Sequence, residues 1–254
     1  MTDYNVYNPT GNITILAPMP ADSMCLKEIA DALMKKESEA EQVGFTYKCK
    51  DADIGLMMAG GEFCGNATLC AAAMVCEGFS GSGIKDIRVK VSGASEIADV
   101  QIKKTGDNLF VGSVKMPQAI SVSKKTLRFD GKKFIFPVVE FCGISHIICQ
   151  EDMNESFAQK AVRKWCSDLS ADALGIMFLN AEKKSIKPLV FVKASDTLFW
   201  ESSCASGSAA AALFLSREEK KAAEYEFTEP AGILKVRIQS DGDIVLTGSI
   251  QKIK

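Results

Sequence analysis

Cys64 and Cys204 stand in matched settings, 140 residues apart (204 minus 64). The first reads Gly61-Glu62-Phe63-Cys64-Gly65-Asn66-Ala67-Thr68-Leu69-Cys70-Ala71-Ala72-Ala73, the second Trp200-Glu201-Ser202-Ser203-Cys204-Ala205-Ser206-Gly207-Ser208-Ala209-Ala210-Ala211-Ala212. Each has an acidic residue two or three positions before a cysteine, then small polar residues, then alanines. The pattern predicts a cysteine at the start of a helix, where unpaired N–H groups and the positive dipole end can hold an anion and lower a thiol's pKa. Two such starts facing each other would hold a carboxylate with a thiol on either side of it. One thiolate would remove the proton from an amino acid's α-carbon and the opposite thiol would return one, inverting the centre. The N–H clamp would stabilise the carbanion. The competing interpretation is that small residues after a buried cysteine simply pack; duplication of the context favours chemistry.

The remaining composition narrows the field. The chain has 254 residues, nine cysteines and a single histidine, His146, with 30 basic against 32 acidic residues and 47% apolar content. Near-neutral charge offers no general attraction to nucleic acid or lipid, and no apolar run approaches the ~20 residues of a bilayer span. The start lacks a signal-peptide pattern, so the expected location is the cytoplasm. An odd cysteine count in a reducing compartment argues against a disulfide framework, and without a Cys-x-x-Cys pair no metal site is expected. The other seven cysteines are assigned to packing.

The elements that must position the two cysteines follow from periodicity. Residues 86–91, 100–103 and 234–238 alternate apolar and polar side chains as half-buried strands do. Further strands are expected at 5–8, 13–17, 44–47, 109–114, 133–141 and 243–247, and helices at 23–36, 64–78, 155–169 and 204–221. Gly81-Ser82-Gly83, Asp130-Gly131 and Asp241-Gly242 read as turns. The pattern is α+β, and the echo suggests two pseudo-symmetric domains, 1–118 and 119–254, each with strands wrapped around a central helix and the site in the cleft between them.

Cys64-Gly65-Asn66-Ala67-Thr68 and Cys204-Ala205-Ser206-Gly207-Ser208 resemble the two half-sites of the cofactor-independent, two-cysteine racemases and epimerases of the diaminopimelate epimerase superfamily. Thr10-Gly11-Asn12, Ala40-Glu41-Gln42-Val43 and Gly143-Ile144-Ser145-His146 resemble further family segments, so the likeness spans nearly the whole chain. The resemblance implies that no pyridoxal phosphate or other cofactor is needed, that the partner is a small amino acid, and that a homodimer is compatible with the sequence. It implies Cys64 and Cys204 as the acid–base pair. The N–H groups of Gly65, Asn66, Ala205 and Ser206 would hold the α-carboxylate, Glu201 and Asn12 the ammonium, with Gln42 near the side chain.

The departures matter as much. Where diaminopimelate epimerase grips the distal end of its substrate with asparagines and an arginine, this chain has Met58, Ile144, Ile176-Met177 and Ser202. A missing guanidinium removes a bidentate grip on a carboxylate. The resemblance is therefore closest to the histidine racemase branch, with histidine the expected substrate and Ser202 a candidate contact. Alternatives are another epimerase of the superfamily, a phenazine-biosynthesis-like isomerase, a thiol hydrolase using His146, and a non-catalytic binding or redox-sensing protein. The roles of Glu62 and His146 stay open.

Overall fold

In the computed structural model, residues 3–21, 26–79, 81, 83–219 and 223–254 are described. The first half runs β1 (Asn5–Pro9), β2 (Thr14–Pro18), α1 (Leu26–Lys36), β3 (Gln42–Tyr47), β4 (Ile54–Met58), α2 (Gly65–Cys76), β5 (Ile84–Val91), β6 (Ala98–Gly106) and β7 (Leu109–Lys115). The second runs β8 (Ser121–Phe129), β9 (Lys132–Phe141), β10 (Ile144–Cys149), α3 (Glu155–Asp168), β11 (Ala173–Asn180), β12 (Ser185–Val192), β13 (Thr197–Trp200), α4 (Ala205–Glu219), β14 (Ala223–Glu229), β15 (Gly232–Ile238) and β16 (Ile244–Lys252). The expected helix at 23–36 begins in residues outside the description, and the one at 204–221 ends in them. The same holds for Ser82 of the predicted turn and for Cys25.

Strands β1 to β7 pair in sequence order, β7 pairs with β16, and β16 pairs back to β1 with Tyr7 opposite Lys252. Eight strands therefore close into a barrel. The closing strand comes from the far end of the chain, so a cut after residue 118 leaves this barrel open along one seam. Helix α2 fills it, touching β1, β2, β4, β5, β6, β7 and β16. Its residues 65–73 are buried on every side. Such a helix can be apolar all round, and alanines let seven strands approach its backbone.

The second half continues from β16 through β15, β14, β12, β11, β10 and β9 to β8, with β13 paired on β12. Helix α4 lies against β9, β10, β11, β14, β15 and β16, and it too is buried through residues 205–212. Helix α3 covers the opposite side of β8, β11 and β12. It is amphipathic: Ala158, Ala161, Val162, Trp165 and Cys166 recur at helical spacing and are buried. Trp165 anchors this layer, its Nε1 donating to the Arg128 carbonyl at 3.2 Å.

Alternation predicted β5, β6 and β15 because each exposes one face. Strands β10, β11 and β12 are buried on nearly all positions, so they carry no period-two signal, and none of the expected strands covers them. The assignment of seven cysteines to packing needs correcting. Cys70, Cys76, Cys149 and Cys166 are buried, but Cys142 is exposed at the β9–β10 turn and Cys49 is half-buried beside Asp51. A turn and a strand end leave those two thiols no layer to pack into.

Candidate active site

Helices α2 and α4 come from different halves, yet their N-termini meet. A Cβ added to Gly65 would lie 2.9 Å from the Ala205 Cβ and 3.2 Å from Met116 Sδ, so only glycine permits this approach. Asn66, the next residue, reaches across: its Nδ2 donates to the Ser203 carbonyl at 3.2 Å and lies 3.3 Å from Ser203 Oγ. Two sets of first-turn N–H groups thus converge, and N–H groups at these positions have no acceptor within their own helices.

Each thiol stands at the head of one helix. Cys64 is the N-cap of α2, with extended backbone and its sulfur accepting from the Ala67 N–H at 3.4 Å. Its own thiol donates to Gln42 Oε1 at 3.1 Å. Cys204 immediately precedes α4, and its sulfur accepts from the Gly207 N–H and lies 3.8 Å from Ser206 Oγ. A cavity of about 30 Å³ lies between them, lined by both cysteines together with Asn12, Gln42, Gly65, Asn66, Glu201, Ala205 and Ser206, and also by Glu62, Phe63, Ile144, Val190 and Val192. Nine of the ten expected site residues therefore share one wall. The tenth, Ser202, does not: its N–H and Oγ both donate to Glu41.

A polar network supports the Cys64 side. Gly11, at φ +96°, makes the turn between β1 and β2 that leads into Asn12; any side chain there would also run into Ala231. Asn12 Nδ2 donates to Glu41 at 2.6 Å, and its Oδ1 accepts from Gln42 Nε2, which also donates to Thr14 Oγ1 at 2.7 Å. Gln42 accordingly links Asn12 to the thiol.

Two carboxylates that carry this arrangement escaped the sequence reading. Glu41 fills the neighbourhood of Ser202, as described. Glu229, at the end of β14, accepts from the Cys204 N–H at 2.7 Å and from Ser208 Oγ, and so caps α4 from a neighbouring strand. The signal was present: Tyr225, Phe227 and Glu229 share the buried face of β14, and a carboxylate in phase with two inward aromatics needs a donor inside.

The electrostatics favour protonated groups. Burial pushes the Cys64 thiol up to about 12, with Glu201 and Glu62 adding repulsion. Burial, then Glu201 and Glu229, raise Cys204 well above its ordinary value. Burial also lifts the carboxyls of Glu201 and Glu229 to about 8 each. His146 is fully buried behind the cavity wall, its Nε2 2.9 Å from Ser206 Oγ, and burial lowers it to about 3, so the ring is neutral. The open role of His146 thus resolves to a buried hydrogen bond with Ser206.

Residues 1–252 match the family model described as the histidine racemase CntK N-terminal domain. The chain belongs to that family. A histidine racemase from Fusobacterium nucleatum subsp. nucleatum is 32% identical over 98% of this chain and 94% of its own. One from Staphylococcus aureus is 28% identical over 92% and 87%. In fold, the chain resembles a predicted epimerase from Pseudomonas aeruginosa (TM-score 0.74, 12% identity, covering 100% of this chain and 98% of the other). It also resembles a hydroxyproline epimerase from Agrobacterium vitis with bound trans-4-hydroxy-L-proline (TM-score 0.68, 10% identity, covering 99% and 88%). These family relations place the chain among the racemases and epimerases.

Proposed function

We propose that this chain is a cofactor-independent histidine racemase working through two thiols, on the diaminopimelate epimerase plan. The observation that carries the reading is the single cavity headed by Cys64 on one helix and Cys204 on another. An α-carboxylate placed between the helix ends accepts from the N–H groups of Gly65, Asn66, Ala205 and Ser206. The carboxylate keeps Cα between the sulfurs, and Glu201 with Asn12 takes the ammonium. Cys64 as thiolate removes the Cα proton; the electron pair passes into the carboxylate, where the N–H donors stabilise it. Cys204 then delivers its own proton to the opposite face, leaving Cys64 a thiol and Cys204 a thiolate. The reverse reaction uses the pair in the other order.

The raised thiol values suit this task. Cα–H is a weak acid, and a strongly basic thiolate narrows the gap in proton affinity that the transfer must cross. Burial keeps both thiols protonated when the site is empty, and an ammonium bound beside Glu201 offsets the carboxylate repulsion that adds to it. Two free thiols also need a reducing setting, which supports a cytoplasmic location. We further assign two halves, 1–118 and 119–254, with β16 lent back to the first.

Incubation in deuterated water with each L-amino acid tests the function. L-histidine should gain deuterium at Cα while its optical rotation decays, and Cys64→Ala and Cys204→Ala should each abolish both signals. The reading fails if no amino acid exchanges, and the two-thiol mechanism fails if both variants keep exchanging. A phenazine-type isomerase has less support, because Cys204 would then have no partner role.

A further inference from the structure

Four carboxylates surround the thiols, and three have their donors. Glu41 receives Asn12 and Ser202, Glu229 receives Cys204 and Ser208, and Glu201 is hydrogen-bonded to Cys204. Glu62 differs: its carboxyl has only the backbone N–H groups of Gly60 and of Glu62 itself beside it, no side chain donates to it, and its Oε2 is sealed from solvent without a hydrogen-bond partner. A buried polar atom without a partner is costly and rare, so in a ligand cavity it marks where a donor arrives with the ligand.

The place of this oxygen is informative. Next to the cysteine cavity lies a second one of about 40 Å³, and Gln42, Glu62, Val190, Val192 and Glu201 line both. Each holds on the order of one to three waters, so a bound amino acid must merge them across this shared wall. The Glu62 carboxyl folds over Gly60, where an added Cβ would lie 2.5 Å from Oε2 and 2.5 Å from Val192 Cγ1. The oxygen is thus held near a valine wall, with the ammonium already assigned to Glu201.

We propose that Glu62 is the specificity-determining residue for the substrate side chain: its Oε2 accepts an imidazole N–H while Val190 and Val192 face the flat of the ring. The proposal rests on the histidine racemase reading. It explains how an amino acid with one amino acid end can be selected without the arginine that grips a second one. Burial already pushes the Glu62 carboxyl up, and a ring N–H would compensate the isolated oxygen.

The test compares histidine with β-(2-thienyl)alanine, whose five-membered ring has no N–H, using Cα deuterium exchange to obtain kcat/KM. Wild type should favour histidine by about 10- to 100-fold, the range for a buried acceptor left unpaired. Glu62→Ala should lower histidine alone and bring the ratio near one. Glu62→Gln keeps a carbonyl acceptor and the side-chain volume, so it should fold and leave an intermediate ratio. Circular dichroism checks the fold of both variants. If Glu62→Ala lowers both substrates equally, the residue serves the ammonium or the structure, and the proposal is overturned. An unchanged ratio in Glu62→Gln, with or without a folded alanine variant, overturns it as well. Should wild type fail to exchange histidine at all, the racemase reading falls too; exchange with an unaltered ratio removes only the role of Glu62.

Discussion

The backbone N–H of Cys204 donates to Glu229 Oε2 at 2.7 Å, so the second catalytic candidate is held in place by a buried carboxyl from another strand. Burial lifts that carboxyl from its ordinary 4.5 to about 8, against the partial opposition of Ser208 and the Cys204 N–H. A value raised on folding means that the native state keeps a proton the unfolded chain releases. Stability from this group is therefore full below about pH 4.5 and is lost as pH rises through 8. Glu229→Gln retains an acceptor for Cys204 and has nothing to ionise. Its melting temperature should decline less than that of wild type between pH 5 and 8, with the gap widening in its favour; parallel curves would refute this account.

Glu201 bears on both thiols, and its charge raises each of them. Glu201→Gln removes that repulsion, so each thiolate forms at lower pH. The acid limb of kcat/KM for exchange should move down in pH even as the maximum falls, by roughly 10- to 100-fold for a lost charged contact to the ammonium. A pH–rate profile in which the maximum drops and the limb stays put would separate ammonium binding from any influence on the thiols.

His146 invites a catalytic role as the only histidine, and its surroundings deny it one. It lies behind the wall, and burial holds it neutral through the working pH range. His146→Asn should keep exchange within about tenfold of wild type and leave the pH profile unshifted, while costing about 1–3 kcal/mol through the unpaired Ser206 hydroxyl. Complete loss of exchange in a folded variant would reinstate imidazole chemistry.

What the sequence made legible follows from which residues act locally. The two cysteines, the small residues after them and the alanine runs form contiguous words, so both helix starts could be read without a structure. Half-exposed strands such as β5 could be read for the same reason, since one wet face imposes alternation. Glu41 could not, because its partner Ser202 lies 161 residues away; for Glu229 the phase of β14 marks a buried carboxylate but not its partner Cys204, 25 residues away. The closure of the barrel by β16 was equally hidden: it depends on pairing with β1, at the other end of the chain, and with β7, in its middle.

Gly65 concentrates these constraints into one replaceable atom. A methyl group there would press on Ala205 at 2.9 Å and on Met116 at 3.2 Å. The methionine can rotate aside, but the alanine cannot, since its side chain is fixed to the first turn of α4. Gly65→Ala should therefore cost about 1–3 kcal/mol, the range for an overpacked core, and lower the melting temperature accordingly. The larger effect should fall on catalysis. Moving one helix end by a few tenths of an ångström spoils the alignment of two N–H sets and two sulfurs, and misplacement on the order of an ångström can cost about 10²-fold. Ala205→Gly in the same chain removes the opposing methyl, and the double variant should recover both the melting temperature and Cα exchange in the same assay. Recovery of stability without recovery of exchange would show that the glycine serves packing alone, and that the spacing of the two helix ends is not what positions the substrate.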